Sequence, residues 1–519
     1  MFTPAQRGAT NAGGTSRDSS NRKVTMATSD KAQSDKAQLS ALGYEGSYNR
    51  SMTVWSTMAL GFTYLSPLVA IYALFGLGLM TGGPGSIFWI LIVGGGQMLV
   101  ALVMGEVVSQ FPIAGGIYPW MRRLAGRRSA WLAAWVYVWA MLVTIASVAQ
   151  YGTGFLATVL GVTEVSSELT LILAISLLVV ALLVNLGGTK TLARIATIGL
   201  AAELIGVVGL GLYLLLFQRQ NEFTIFTEGF ASADYGTAFM GAALVGLFMF
   251  YGFEACGDVA EEVDDAAREV PKAMILTILI GGVSALASFS GYVLAASPEL
   301  LAATAAGENA DPIGTILADV LGETGARLFL VVAVVAFISC CLSLQAAASR
   351  LLHSFARDKM LPASGWLSQI SDRSKVPTNA LLVASIVPML LCVVIYANPA
   401  SLVPITAFAV LGIYIAFQSV VLASLIQRFR GWKPAGPWSL GSFGLIINIA
   451  ALAYGIWAIS WLLQPGVSGD WFIDNISLIG VVAVLVPGGL YLLVARPHLR
   501  SKAPYSDAIE VAKKMRAGN

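Results

Sequence analysis

The 519-residue sequence has little charge, histidine and cysteine for its length. Charged residues make up 12%, about half the fraction usual in soluble globular proteins, so they are too few to cover a soluble domain. The two histidines and four cysteines show neither metal-type spacing nor an extracellular pairing pattern, which excludes a zinc module and a disulfide scaffold. No phosphate-binding P-loop and no catalytic constellation is present, so we expect neither an ATP-driven pump nor an enzyme. A net charge of +2 gives no basis for nucleic-acid binding.

The sequence is instead rich in long apolar runs. Hydrophobic residues account for 57% of the chain, and a helix needs about 20 mostly apolar residues to cross a bilayer. The sequence therefore predicts an all-α integral membrane protein with twelve transmembrane helices. These are spans 1 to 12, at approximately residues 54–80, 86–108, 129–160, 169–187, 191–217, 238–260, 271–295, 326–355, 378–396, 402–428, 441–463 and 476–495.

The remaining charges predict the orientation of these spans. Nearly all lysines and arginines fall in alternate connecting segments, with Arg219 and Arg327 as exceptions. By the positive-inside rule, both termini are cytoplasmic in a multi-pass protein of the plasma or inner membrane. Residues 1–50 are predicted to form a disordered cytoplasmic tail, in which Met26 is an alternative start. Residues 51–500 are predicted to form the membrane-spanning domain, and residues 501–519 a short, basic, solvated cytoplasmic tail.

Two spans carry signals that interrupt a helix. Span 1 contains Thr63–Pro67 (TYLSP), where Pro67 removes a backbone donor and disfavours helix at Ser66. Span 6 contains Tyr251–Glu254 (YGFE), with a glycine beside a carboxylate. Each signal alone also fits a proline kink or a packing glycine. Together they fit transporters built from two inverted repeats, here residues 54–217 and 238–428, whose discontinuous helices bind substrate near the midplane. Spans 11 and 12 lie outside the repeats.

Several stretches carry a family resemblance. Span 2 ends in Gly105–Pro112 (GEVVSQFP), which Ala114–Trp120 (AGGIYPW) follows. The other stretches follow spans 6 and 8: GFE at 252–254, AEE at 260–262, AAR at 266–268, VPKA at 270–273, SR at 349–350 and ARDKMLP at 356–362. In this order they resemble the amino acid–polyamine–organocation (APC) permeases over residues 45–430. Gly82–Pro84 (GGP) and span 1 are most similar to the amino acid/choline branch, which includes GABA and choline permeases.

The resemblance implies a secondary active transporter that moves amino acids or small amines, such as GABA, choline or polyamine-like compounds, by alternating access. Its implied partners are this substrate and the lipid bilayer, with a coupling ion and no other cofactor; the oligomeric state stays open. Many relatives hold the substrate's carboxylate on a glycine-rich segment of span 1. Here Tyr64–Leu68 lacks glycine, and Pro67 has no amide to donate. Recognition of a cationic group is therefore the expectation. A sodium-coupled symporter, an exchanger and a permease-fold nutrient sensor are the alternatives.

Glu203 is the candidate for ion coupling. It lies near the middle of span 5, where charge is expensive and generally functional. Counted from Arg194, it occupies the position where some bacterial relatives carry a lysine that is thought to replace a sodium ion. A carboxyl group here predicts either a group that titrates with protons or an anion that attracts a cationic substrate or ion, and it favours coupling to protons over sodium. The alternative is a protonated glutamate that hydrogen-bonds to a neighbouring helix.

The two breaks supply the candidate substrate site. Its predicted residues are Tyr64, Ser66, Phe250, Tyr251, Gly252, Phe253 and Glu254. Aromatic rings offer π-faces to an ammonium or quaternary amine, although aromatics beside a glycine also simply pack. Glu254 is expected either to pair with the substrate's ammonium or to control closure on the cytoplasmic side.

An acidic stripe after the second break suggests a gate. Glu254, Asp258, Glu262 and Asp265 recur at helical spacing and would share one face of a continuous helix. We predict that Asp258, Glu261 and Glu262 form an intracellular gate by pairing with arginines between spans 2 and 3. The candidate arginines are Arg122, Arg123 and Arg127. The alternative is a solvated helix end that Arg268 and Lys272 partly neutralise.

Overall fold

The computed structural model describes residues 38–44, 48, 50–162, 165–231, 235–309, 311–466 and 468–517. Most of the predicted N-terminal tail, including Met26, lies outside these residues. The chain divides into two compact units, Met1–Gly46 and Ser47–Asn519. The first unit is described only at residues 38–44. All features below belong to the second unit.

The second unit is helical, and its described residues contain no strand beyond one isolated bridge between Met52 and Val263. Its α-helices are α1 Val54–Leu65, α2 Pro67–Gly82, α3 Phe88–Gln110, α4 Ile117–Ala125, α5 Arg127–Leu160, α6 Ser167–Leu186, α7 Thr189–Glu203, α8 Leu210–Phe217, α9 Tyr235–Gly241, α10 Ala243–Met249, α11 Ala255–Asp258, α12 Ala266–Ala295, α13 Pro298–Ala305, α14 Pro312–Arg357, α15 Ser364–Leu367, α16 Thr378–Ala397, α17 Leu402–Phe429, α18 Gly444–Leu462, α19 Trp471–Asp474, α20 Ile476–Val494, α21 Pro497–Arg500 and α22 Ala508–Ala517.

Every predicted span overlaps α-helix, although span 6 extends beyond the end of its helix at Met249. Among the described residues, ten helical segments are long and apolar enough to cross a membrane. The first, Val54–Gln110, contains spans 1 and 2, whereas span 6 falls on the shorter apolar helix Tyr235–Met249. The chain is therefore a multi-pass integral membrane protein. Helix α14 consists of two helices that meet at a kink at Gly322, whose φ is 71°, and predicted span 8 falls on the second of them.

Helix α5 forms the centre of the bundle. It packs along α14 and α17. Of the 18 residues that form its most apolar stretch, 83% are buried, whereas only 22% are buried in the corresponding stretch of α20. The apolar side chains Ile446, Leu490 and Val494 of α18 and α20 are exposed. In a bilayer these side chains contact lipid, so they do not need to be buried against other helices of the protein.

Span 1 is broken at the predicted place. Helix α1 ends at Leu65, and α2 begins at Pro67, the helix position where a missing amide hydrogen costs least. Ser66 between them has left-handed dihedrals, φ 39° and ψ 86°. Its amide donates to Phe62 O at 2.6 Å, and its Oγ accepts from Val69 N at 3.2 Å. One residue thus ends the first helix and caps the second.

Span 6 is also broken, and the break overturns the predicted acidic stripe. Helix α10 ends at Met249, and Gly252 has φ 113°, a conformation open to glycine. Only the four-residue α11 and a 3₁₀ turn at Ala260–Glu262 follow before Asp265, whose φ is 53°. Because this stretch is not a continuous helix, acids at spacings of four and three do not share one face.

The C-terminal tail differs from the expected solvated segment. Residues 508–517 form α22, on which Ala508 and Ala512 are buried. Ser501, ahead of this helix, is buried as well. The tail therefore packs against the transmembrane unit.

Candidate functional site

The two helix breaks contact each other directly. A β-carbon added at Gly252 would lie 2.6 Å from Leu65 N and 2.9 Å from Tyr64 Cδ2. Only glycine permits this approach of the two backbones. The rings of Tyr64 and Tyr251 meet edge to face, with centroids 6.2 Å apart. The structure thus brings together four predicted site residues, which are Tyr64, Tyr251, Gly252 and Glu254.

Glu254 organises the break in span 6. Its Oε2 accepts from Gly252 N at 2.7 Å, and its Oε1 accepts from Tyr137 Oη of α5 at 2.9 Å. The carboxylate therefore satisfies an unwound amide and joins the break to the central helix. Tyr137 was not predicted as a site residue. A tyrosine in a long apolar span carries no sequence signal that separates this role from ordinary packing.

The Tyr64 hydroxyl lies beside Glu254, whereas two of the predicted aromatics pack elsewhere. This buried hydroxyl makes no hydrogen bond of ordinary geometry to a described residue, but it is near enough to interact with the Glu254 carboxyl group. Phe250 lies against Gly94 of α3, where an added β-carbon would come within 2.9 Å of its ring. Phe253 packs on Phe417 of α17 at 5.3 Å between centroids. Tyr64 and Tyr251 therefore form the aromatic contact between the breaks.

Glu203 and Ser66 form a second polar centre at the span 1 break. Glu203 is the last residue of α7, directly before a π-helical turn at Leu204–Gly209. Its Oε2 accepts from Ser66 Oγ at 2.9 Å. Its Oε1 is buried and makes no hydrogen bond of ordinary geometry to a described residue, and the carboxyl group also lies near the amide of Leu68. Ser66 and Leu68 at the span 1 break therefore both face this carboxyl group.

Hydroxyl groups lie around this centre. Thr63 Oγ1 and Ser343 Oγ are 2.7 Å apart, and Ser339 Oγ approaches Gly199, four residues before Glu203. Hydroxyl and carboxylate oxygens are ligands for hard cations. The part of the chain that the structure describes has no cluster of three or more His, Cys, Asp or Glu residues of the kind that holds a metal ion.

Ion pairs close the end of the bundle that the predicted orientation places in the cytoplasm, which we call the inner end. Glu262 pairs with Arg350 at 2.9 Å, and Glu261 pairs with Arg357 at 3.0 Å. Arg122 of α4 forms an ion pair with Asp358. These six residues are the inner cluster, which ties span 6 and α4 to the end of α14.

The predicted members of the gate therefore lie at the inner end, but their predicted partners are wrong. Glu261 and Glu262 pair with arginines of α14, while Arg123 pairs with Asp507 of the C-terminal tail at 2.5 Å. Asp258 makes no side-chain hydrogen bond to any described residue, and its carbonyl accepts from Gly115 N at 3.0 Å. Arg350 and Arg357 lie seven residues apart and therefore share one helix face. This spacing was the sequence signal that could have identified them as the partners of Glu262 and Glu261.

Residues before span 1 cover the inner cluster. The amides of Ser51 and Met52 both donate to Glu262 O at 3.0 Å. Tyr48 hydrogen-bonds to His353 Nδ1 at 2.8 Å, and burial raises the pKa of the Tyr48 phenol far above its ordinary value. The phenol therefore stays neutral at physiological pH.

Comparison with known proteins identifies the architecture. A model of the amino acid permease family matches residues 52–484. Amino-acid permease BAT1 of Arabidopsis thaliana is 26% identical over 458 residues, which cover 81% of this chain and 86% of that protein. A putative polyamine transporter of Candida albicans is 24% identical over 87% of this chain and 85% of its own. The predicted resemblance to APC permeases is confirmed, while the amino acid/choline branch stays a prediction. The chain belongs to the amino acid permease family, whose members are membrane transporters rather than enzymes.

Proposed function

We propose that this protein is a secondary active transporter of amino acids or small amines that binds its substrate between the breaks of spans 1 and 6. The observation that carries the proposal is the direct contact of two interrupted helices at Gly252 and Leu65. Broken helices at membrane depth are tolerated where they line a cavity or are buried in protein. The names of the relatives, an amino-acid permease and a putative polyamine transporter, support the same substrate class.

The proposal includes twelve membrane crossings, two inverted repeats over spans 1–5 and 6–10, and cytoplasmic termini. The supporting observations are the positions of the two breaks and the arginine-rich inner end. Alternating access then requires the inner cluster to separate when the site opens to the cytoplasm. Glu261 and Glu262 would act as gate residues through Arg357 and Arg350 rather than through α4.

We expect the substrate's cationic group to be the one recognised. Glu254 is anionic when ionised, and the rings of Tyr64 and Tyr251 lie close by for cation–π contact. A substrate carboxylate has a poor site at the start of α2. Pro67 has no amide hydrogen there, and Glu203 already places a carboxyl group beside Ser66. This arrangement favours amines and polyamines over substrates held mainly by a carboxylate.

Proton coupling through Glu203 is part of the proposal. Its Oε1 can take up a proton without breaking the Ser66 hydrogen bond at Oε2. Symport requires that the protonated form binds substrate more tightly, and Glu254 remains the carboxylate that faces the cationic group. The hydroxyls of Thr63, Ser339 and Ser343 favour a second candidate, in which Glu203 helps to bind sodium. An exchanger without ion coupling is a third form of the same function.

Proteoliposomes with purified protein test the function. We expect uptake of a labelled amine or amino acid that an inward proton gradient accelerates and that sodium leaves unchanged. Acceleration by a sodium gradient alone would replace proton coupling with sodium coupling. Transport that needs internal substrate would indicate exchange. Ligand-dependent thermal stabilisation without any uptake would favour a sensor, and neither binding nor uptake across both substrate classes would overturn the proposal.

A further inference from the structure

The C-terminal segment packs against the inner end of the bundle. We call residues 501–517 the C-terminal strap. Its α22 buries Ala508 and Ala512, although the segment has the basic, polar composition of a solvated tail. Burial of these small side chains shows that the strap packs on the transmembrane unit rather than extending from it.

Helix α4 makes several of the contacts with the strap. Ser506 N donates to Arg122 O at 3.0 Å, and Asp507 pairs with Arg123 at 2.5 Å. Arg123 is only 1% exposed, whereas the Asp507 side chain is 19% exposed, so the pair is part-buried at the edge of the bundle. Charge-assisted contacts at a buried guanidinium are stronger than exposed ones. Asp507 thereby fixes where α4 lies.

Further contacts spread the strap over three other places. Arg127 at the start of α5 donates to Ala503 O at 3.1 Å and lies 4.0 Å from the centroid of the Tyr505 ring. Gln110 at the end of α3 donates to Ala508 O at 2.8 Å. Arg516 donates to Lys433 O, in the segment after α17, at 2.8 Å. The strap therefore joins the inner ends of spans 2, 3 and 10 across α4.

The opposite side of α4 belongs to the inner cluster. Arg122 pairs with Asp358, and Tyr118 Oη donates to Asp358 Oδ2 at 2.8 Å. Gly116, just before α4, packs so closely on Asp258 that an added β-carbon would lie 2.5 Å from its Oδ1. Helix α4 is thus held between the strap and the parts of spans 6 and 8 that the proposed function requires to separate.

We propose that the C-terminal strap holds α4 closed over the inner cluster, and that Asp507 is the positioning residue of this contact. Opening of the inner end moves α4 away from Asp358 and Asp258, which the strap resists through Arg123 and Arg127. Weakening the strap then raises the fraction of molecules that are open at the inner end. The inference rests on the proposed function only in that the inner end opens at all.

A cysteine reporter tests the inference without any substrate. Ser354 is fully buried, and Gly115 covers it so closely that an added β-carbon would lie 2.5 Å from Ser354 Cβ. In the full-length protein carrying Ser354→Cys, the rate of modification by a membrane-impermeant maleimide measures opening at the inner end. The four native cysteines are buried, and the protein without the reporter gives their background.

The reporter is combined with Asp507→Asn and, as the matched control, with Glu510→Gln. Glu510 is 69% exposed and pairs with Lys514 of the same helix, so its neutralisation leaves the contact with α4 unchanged. We expect Asp507→Asn to raise the modification rate about tenfold, because the buried Arg123 guanidinium loses its charged partner. Glu510→Gln should leave the rate unchanged.

Equal rates in the two variants would overturn the inference. The charge exchange Arg123→Asp with Asp507→Arg separates positioning from a general loss of stability, because it should return the rate towards that of the wild type. If Asp507→Asn does not fold, Tyr505→Ala removes only the ring beside Arg127 and should give a smaller increase. No increase with Tyr505→Ala in that case would also overturn the inference. A protein that fails to transport but shows the increase would contradict the proposed function alone.

Discussion

The breaks in spans 1 and 6 both interrupt a membrane helix, but different residues form the two breaks. In span 1, a serine in a left-handed conformation precedes a proline, and the carboxyl group comes from another helix as Glu203. In span 6, a glycine supplies the positive φ, and the carboxyl group comes from the same segment as Glu254. Both breaks therefore place one carboxyl group beside unwound backbone.

The difference lies in how fully each carboxyl group is used. Both oxygens of Glu254 accept hydrogen bonds, from Gly252 N and Tyr137 Oη. Glu203 uses Oε2 on Ser66, while its Oε1 makes no hydrogen bond of ordinary geometry to a described residue and the carboxyl group lies near the amide of Leu68. This difference supports the proposed roles, in which Glu254 gives shape and charge to the substrate site and Glu203 binds a proton or ion reversibly.

The largest effect is expected at the contact between the breaks. Gly252→Ala places a β-carbon 2.6 Å from Leu65 N at φ 113°, so the two breaks must separate. We expect a loss of stability of about 3 kcal/mol and uptake reduced by about a hundredfold. Uptake and thermal unfolding measure the two effects. Gly154→Ala, with nothing within 4 Å of its added β-carbon, is the control and should behave as wild type.

Glu254→Gln tests whether this carboxylate shapes its break. Glutamine presents one acceptor to two donors, so either Gly252 N or Tyr137 Oη faces an NH2 group. Leaving a buried donor unpaired costs about 1–3 kcal/mol, and uptake should fall about tenfold or more. Tyr137→Phe removes one of the two contacts and should have a smaller effect, and the double variant measures their coupling. Unchanged KM and uptake rate in Glu254→Gln would remove this residue from the site.

Glu203→Gln tests the other half of the comparison. Glutamine keeps the size of the side chain and an acceptor for Ser66, but it cannot titrate. With proton coupling, wild-type uptake rises as the external pH falls below the internal pH. The variant should lose this dependence while retaining substrate exchange, with a rate change within about tenfold. A pH profile that matches that of the wild type would contradict proton coupling through Glu203, whatever the absolute rate.

The smallest effect is expected for Ser66→Ala. The substitution removes the hydrogen bond to Glu203 and the cap on Val69, while φ stays at 39°. Loss of a helix cap costs about 1 kcal/mol, so thermal stability should fall slightly and uptake should change only a few fold. A shift of the pH profile in this variant would show that Ser66 tunes the protonation of Glu203. A collapse of uptake comparable to that of Gly252→Ala would show that the two breaks are equally sensitive, against the comparison.

The sequence predicted the helical architecture and both breaks because these depend on local properties. Apolar length sets where a helix can lie in a bilayer, and Pro67 and Gly252 act on their own backbone. The prediction of an acidic stripe was wrong because it also used only local spacing. It assumed that the helical period continues beyond Gly252, although the break resets the direction of every later side chain. The tail was misjudged because two buried alanines give no signal within a basic segment.

Composition and local pattern by themselves determined that this chain enters a membrane, where its helices lie and where two of them end. Only the tertiary structure decided which groups meet. Ser66 and Glu203 are 137 positions apart, and Glu262 and Arg350 are 88 apart. Several arginines satisfy the positive-inside rule equally well, so the charge pattern does not predict which arginine pairs with which carboxylate. The packing of α14, α4 and the strap makes that choice, because a buried ion pair forms only where the helices bring two charges within contact distance.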